Sequence, residues 1–259
     1  MINRFTILIV SLNIIFGSVP DASGVNGAVT SSNKFASDVG INILKDGGNA
    51  VDAAIAVGFA LAVVHPGAGN IGGGGFMVIR LADGTKTTID FRETAPQKAS
   101  RDMFLDENGD IIEGKSWSTS WASGVPGSVA GFGLAHEEFG TLKWSQLIDS
   151  SIQLARDGYS LNYNDANSFN RYNDFLTKDS VTRTIFVRDE EFKTGDILVQ
   201  RNLASTLERI SRAGWEEFYT GKTADLIQKC MERTDGLISK NDLKNYIAVQ
   251  RDPITFSYR

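Results

Sequence analysis

One cysteine, Cys230, is the entire thiol content of this 259-residue sequence. A single thiol excludes an intrachain disulfide and a zinc site built on paired cysteines. Imidazole is almost as scarce. His65 and His136 are the only histidines, and neither stands in a metal-ligand spacing such as H-E-x-x-H. No metal site and no cofactor is expected on these grounds. A basic excess is also missing: 26 Lys and Arg stand against 31 Asp and Glu, for a net charge of -5. That balance argues against a nucleic-acid partner. No apolar run reaches the ~20 residues of a spanning helix, so no stable membrane span is expected. Phosphate-loop and G-x-S-x-G nucleophile-elbow motifs are both absent.

Glycine is abundant instead, with 26 residues gathered around Gly47-Gly48, Gly67 to Gly75 and Gly124 to Gly133. Clusters of this kind mark tight turns or close approach of backbones. The N-terminus has Arg4, an apolar run from Phe5 to Phe16, and a small, turn-rich stretch from Gly17 to Gly24. This order matches a secretory signal peptide over residues 1–23, cleaved between Ser18 and Gly24. The expected location is periplasmic or secreted. No proline-rich or charged linker follows, so residues 24–259 read as one domain.

The pattern predicts a short strand over residues 27–32, then a helix over Lys34–Lys45 with Phe35, Val39, Ile43 and Leu44 at helical spacing. Asp46-Gly47-Gly48 stops it, and Asn49 is placed to cap a second helix, residues 50–64. That second helix is apolar almost all round, so it belongs inside a protein. A hairpin is predicted next, with strands over 76–81 and 87–91 around an Asp83-Gly84 turn. Helices are predicted over 129–139, 144–156, 202–213, 221–232 and 240–246, forming a helix-rich lobe.

Gly67-x-Gly69-x-x-Gly72 matches a dinucleotide fingerprint in letters only. That fingerprint needs a strand before it and a helix after it, and here the order is reversed. Arg92 is the most informative charged residue. A guanidinium fixed at a strand end can grip a carboxylate with two parallel hydrogen bonds. Taken alone, it fits an ordinary ion pair with Asp90, Glu93 or a neighbour at least as well. Glu93 reads as structural, His65 as a hydrogen-bonded loop residue and His136 as a surface residue. Trp117, Trp121 and Trp144 read as packing residues.

Several segments, in order, resemble the gamma-glutamyltransferase family (gamma-glutamyltranspeptidase, glutathione hydrolase). They are Asp46 to Ala54, His65-Pro66, Gly69-Asn70, Gly72 to Met77, and Asp90-Phe91-Arg92-Glu93-Thr94-Ala95-Pro96, similar to a D-x-R-E-x-A-P motif. Ala122 to Gly131, Leu154 to Gly158 and Asp252-Pro253-Ile254 continue the match. The resemblance implies an α/β (α+β) fold, part of the four-layer αββα sandwich of N-terminal-nucleophile hydrolases. It implies a precursor that cuts itself before an internal threonine, whose free amine then serves as base. It implies glutathione and other gamma-glutamyl compounds as substrates, with water or an amino acid or peptide as acceptor. It also implies that Arg92, the position matching the family's arginine, holds the substrate α-carboxylate.

The nucleophilic threonine falls beyond the matched region, so no catalytic residue is assigned within these 259 residues. The chain reads as the front part of a large subunit, expected to be inactive without the C-terminal part of its precursor. A partial sandwich would leave the apolar face of the 50–64 helix or the edge of the 76–91 hairpin uncovered. Two other readings remain open on sequence: a related cephalosporin (glutaryl) acylase, and a secreted non-catalytic binding domain of the same fold.

Overall fold

The computed structural model describes residues 23–258, and the signal-peptide stretch lies outside them up to residue 22. Helix α1 spans Lys34–Lys45 and α2 spans Ala50–Val64. The turn between them is set by Gly47, whose φ of 91° is the left-handed conformation that favours glycine. Gly48 N–H reaches the Ile43 carbonyl at 3.0 Å and Gly47 N–H the Leu44 carbonyl at 3.2 Å, so the last carbonyls of α1 are satisfied.

The apolar helix α2 lies in the core, with Ile55, Ala56, Phe59, Ala60, Val63 and Val64 fully buried. It packs on α1, on α4 (Ser128–Phe139) and on α5 (Trp144–Asp157). Its ends are closed by side chains. At the N-terminus, Asn49 accepts from the Val51 and Asp52 N–H groups, and Asp52 accepts from Asn49 N–H at 2.9 Å. At the C-terminus, Asn33 donates to the Val64 carbonyl and Gln200 to the Val63 carbonyl, both at 2.7 Å. Backbone groups left over at a helix end must find partners when the end is buried.

Strands β1 (Phe76–Arg80) and β2 (Lys86–Asp90) form the predicted hairpin, and β5 (Val249–Arg251) adds to β2, giving the antiparallel order β1-β2-β5. The register pairs Met77 with Ile89 and Ile79 with Thr87. Ile79 and Ile89 therefore point to the helices and join the core. Phe76 (61% exposed) and Val78 (75% exposed) point the other way, onto a face that nothing covers among the described residues.

The helix-rich lobe follows. Its short pieces are α3 (Lys115–Ser118), α6 (Tyr163–Arg171), α7 (Asn173–Leu176), α8 (Ser180–Phe186) and a two-stranded pair, β3 (Tyr159–Ser160) with β4 (Ile197–Leu198). Its last helices are α9 (Arg201–Ala213), α10 (Glu217–Thr220), α11 (Lys222–Arg233) and α12 (Lys240–Lys244). Two expectations change. Residues 27–32 are not a strand: among the described residues no strand runs beside them, and Val29 instead packs on α1 near Gly40. The final helix stops at Lys244, which leaves Tyr246 free to turn inward. No helix among the described residues is long and apolar enough to cross a membrane.

Asp52 is the least exposed charged group of this core, at 0%. Its carboxylate also accepts from Thr141 N–H at 3.1 Å and from the Thr141 hydroxyl at 2.5 Å, binding α2 to the loop before α5. Asp52→Ala would leave these donors unpaired and should cost about 2–3 kcal/mol or more. Urea unfolding of the purified protein measures this directly. A midpoint unchanged from the parent would show that the network is not holding α2 in place.

Candidate substrate-carboxylate site

Arg92 lies two residues beyond the end of β2, where the hairpin ladder has closed. The last pairing on that side joins Phe91 to Gly75 through hydrogen bonds of 3.0 and 3.3 Å. Three residues after Phe91, Thr94 pairs with Val125 at 2.8 and 3.3 Å. The Arg92-Glu93 peptide is therefore a short span between two anchored points. One anchor belongs to the glycine loop before β1, the other to the loop before α4.

The glycines of both loops let the backbones close on this span. A Cβ at Gly74 would meet the Phe91 carbonyl and the Glu93 N–H, and one at Gly124 would meet the Glu93 side chain. A Cβ at Gly127 would overlap the Tyr246 hydroxyl and the Phe91 carbonyl, and one at Gly131 the Phe91 ring. The Gly73 carbonyl accepts from Gly127 and Ser128 N–H at 2.7 and 3.0 Å, joining the two loops directly. By contrast, the Gly67–Gly72 run follows the carbonyl end of α2, with Gly69 against the Leu61 carbonyl. That is the electronegative end of a helix, the reverse of a phosphate cradle.

The Arg92 side chain is 63% exposed and meets Glu93 through Nε at 3.5 Å. This is a loose surface pair, with little hold on the guanidinium. Asp90 is not its partner. The Asp90 carboxylate takes the Arg251 guanidinium at 2.9 Å on one oxygen and the Arg92 backbone N–H at 3.1 Å on the other. The Arg92 N–H, aided by the Arg251 guanidinium, holds the Asp90 carboxyl below the usual carboxylate range. On the other side, the Tyr246 hydroxyl donates to the Arg92 carbonyl at 2.8 Å. Burial, together with the nearby Asp90 and Glu93 carboxylates, pushes the Tyr246 phenol up to about 12. It remains a donor at neutral pH.

Arg92 and Glu93 open onto a cleft of about 400 Å³, lined also by Thr94, Pro96, Met103, Phe104, Trp121 and Ser123. The lining combines one guanidinium with a carboxylate, hydroxyl groups and apolar side chains. A larger cavity of about 560 Å³ lies in the helical lobe, between Pro66-Gly67, Trp117 and the aromatic residues of α6 to α8. It has no charged lining residue and does not include Arg92.

Sequence reasoning placed Arg92 just after a strand and left its ion-pair partner open among Asp90, Glu93 or a neighbour; the structure puts it beside Glu93. It missed Tyr246, 154 residues beyond Arg92, and Arg251, 161 residues beyond its partner Asp90. Two minor assignments are corrected. His136 is not a surface residue: it is half-buried, its Nε2 lies 2.8 Å from the Leu142 carbonyl, and its ring packs on Trp144. Trp117, read as a packing residue, packs only at the surface: it is 71% exposed and stacks on Phe175 at the second cavity. Trp144 does pack, donating to the Ile210 carbonyl at 2.9 Å.

The sequence profile of the gamma-glutamyltranspeptidases matches residues 36–259. The chain belongs to that family. Among curated relatives, the glutathione hydrolase proenzyme of Escherichia coli K12 is 49% identical over 235 residues, which is 90% of this chain and 40% of that protein. The corresponding proenzyme of Pseudomonas sp. A14 is 43% identical, over 95% of this chain and 43% of that protein. The chain thus spans about 40% of the length of these relatives.

The crystal structure of Helicobacter pylori gamma-glutamyltranspeptidase superposes with a TM-score of 0.90 at 44% identity, covering 93% of this chain and 69% of that one. A cephalosporin acylase from Bacillus halodurans superposes at 0.76 with 25% identity, over 94% of this chain and 47% of that one. The fold is therefore the α+β architecture of the gamma-glutamyltranspeptidases, within the N-terminal-nucleophile hydrolases. The described residues supply helices packed on one three-stranded sheet, together with the two-stranded β3–β4 pair.

The close approach at Gly127 gives a direct test of how this family member builds its loop junction. Gly127→Ala forces a methyl group into the Phe91 carbonyl and the Tyr246 hydroxyl. Overpacking of this kind costs about 1–3 kcal/mol. Thermal unfolding should show a lowered Tm, whereas Gly72→Ala, with open space at its Cβ, should leave it nearly unchanged. Equal effects at both positions would contradict the close junction.

Proposed function

We propose that this chain is the front part of a glutathione hydrolase precursor, and that Arg92 receives the α-carboxylate of its gamma-glutamyl substrates. The complete protein would cut itself before a threonine supplied by the C-terminal part. The threonine hydroxyl would then attack the gamma-glutamyl carbonyl and expel the amine, with the threonine's own amine moving the proton. Water or an acceptor amino acid or peptide would release the glutamyl group.

The observation that carries this reading is the position of Arg92. It stands on a doubly anchored span, its exposed side chain lines an open cleft, and its neighbour Asp90 is already taken by Arg251. Relatives named glutathione hydrolase at 37–49% identity support it, against 25% for the cephalosporin acylase. The exposed sheet face at Phe76 and Val78 fits the C-terminal part of the same precursor as its cover. Residues 24–259 would then be one partial large-subunit domain, unable to act alone.

Arg92→Lys keeps the charge and loses the two-pronged geometry. In the complete precursor it should weaken substrate capture, and Arg92→Ala should weaken it more, with kcat/KM falling about tenfold to a hundredfold. Self-cleavage should be largely spared. The decisive comparison uses a 4-aminobutyryl anilide, which keeps the amine and lacks the α-carboxylate. The Arg92→Ala penalty should nearly vanish on it; an equal penalty on both anilides would make Arg92 structural. Export to the periplasm or medium is proposed from the Arg4 and Phe5 to Phe16 pattern. Sequencing the N-terminus of the mature protein tests it, and an intact Met1 on cytoplasmic protein would refute it.

A further inference from the structure

We infer that Tyr246 is a positioning residue for Arg92, acting with the Asp90–Arg251 pair to grip the Arg92 peptide from both sides. The inference rests on the reading of Arg92 as the α-carboxylate receptor and goes one step deeper into the same site.

An arginine side chain has several rotatable bonds, and among the described residues this one is held only by a loose contact with Glu93. Its direction must therefore be set mainly by the backbone from which it leaves. That backbone has no ladder partner at Arg92, because the pairings fall at Phe91 and at Thr94. Side chains fill the gap. Asp90 accepts from the Arg92 N–H, and Tyr246 donates to the Arg92 carbonyl. Both peptide groups of the residue are thus fixed by charged or buried partners.

The two grips are themselves secured by the same late segment of chain. Arg251, on β5, holds Asp90. Tyr246, just ahead of β5, stacks on Tyr219 with centroids 5.7 Å apart and planes 11° apart. Tyr219 in turn donates to the Pro126 carbonyl and accepts from Ala130 N–H, across the start of α4. Gly127 leaves room for the Tyr246 hydroxyl to reach the Arg92 carbonyl. A phenylalanine at position 246 would keep the ring and the stacking and lose only the hydrogen bond.

The test uses Tyr246→Phe in the complete, self-cleaving precursor, assayed on a gamma-glutamyl anilide and on the 4-aminobutyryl anilide. On the first, KM should rise about three- to tenfold, the span expected for one lost hydrogen bond, while kcat and self-cleavage stay near parental values. On the second, which has no α-carboxylate to orient, KM should not change. The double variant Arg92→Ala/Tyr246→Phe should lose no more than Arg92→Ala alone, because Tyr246 acts through Arg92. If Tyr246→Phe fails to mature, Arg251→Gln, at an exposed position, carries the same test from the Asp90 side. Losses equal on both substrates, or additive in the double variant, overturn the inference. That result leaves the Arg92 reading intact as long as Arg92→Ala still discriminates between the anilides. If Arg92→Ala does not discriminate, the reading of Arg92 fails and the Tyr246 inference falls with it.

Discussion

A helix that is apolar on every side can be buried only if its terminal peptide groups find partners away from water. Helix α2 meets this requirement through four side chains. Asn49 and Asp52 close its N-terminus, while Asn33 and Gln200 take the carbonyls of Val64 and Val63. Asp52 belongs to the first turn of α2 itself, and the other three come from the turn before α2, from the start of α1 and from the start of α9. The ends of α2 therefore fix where three other elements sit. Asp52 extends the arrangement to Thr141, setting the approach of α5. With α2 in place, α4 packs beside it through the edge-on contact of Phe59 and Phe132.

The site follows from that placement. Phe132 of α4 also meets Phe91, whose backbone ends the hairpin ladder at Gly75. The glycine loops on either side can then approach the 91–94 span closely enough to fix it. Small residues at Gly74, Gly124, Gly127 and Gly131 are the condition for this approach, because a Cβ at Gly74, Gly127 or Gly131 meets backbone or aromatic side-chain atoms and one at Gly124 meets the Glu93 side chain. The result is an arginine whose backbone is anchored on both sides and whose side chain is exposed. Such a group can meet a planar carboxylate without first rearranging its backbone.

Much of this was legible in the sequence, because the signals are local. Asp46-Gly47-Gly48-Asn49 contains both the stop of α1 and the cap of α2, and the helices over Lys34–Lys45 and Ala50–Val64 appear with those bounds. The hairpin and the strand-end position of Arg92 rest on two short strand-forming runs around the Asp83-Gly84 turn, all close together in the chain. What escaped is non-local. Nothing near Tyr246 or Arg251 announces that they close on Arg92 and Asp90 from so far along the chain. Tyr246 even fits the apolar spacing of its preceding helix, and only the early end of α12 at Lys244 frees it. The short strand expected over residues 27–32 failed for the same reason: a strand needs a neighbour, and a six-residue window cannot supply one.

The central claim is that residues 91–94 form a preset stem that offers Arg92 to a substrate α-carboxylate. A crystal structure of the complete, processed enzyme with bound glutamate tests it most directly. The account predicts two parallel hydrogen bonds of about 2.8 Å between the Arg92 guanidinium and the α-carboxylate, with the Tyr246 hydroxyl still on the Arg92 carbonyl. Glutamate held by other groups, with Arg92 left on Glu93, would contradict it.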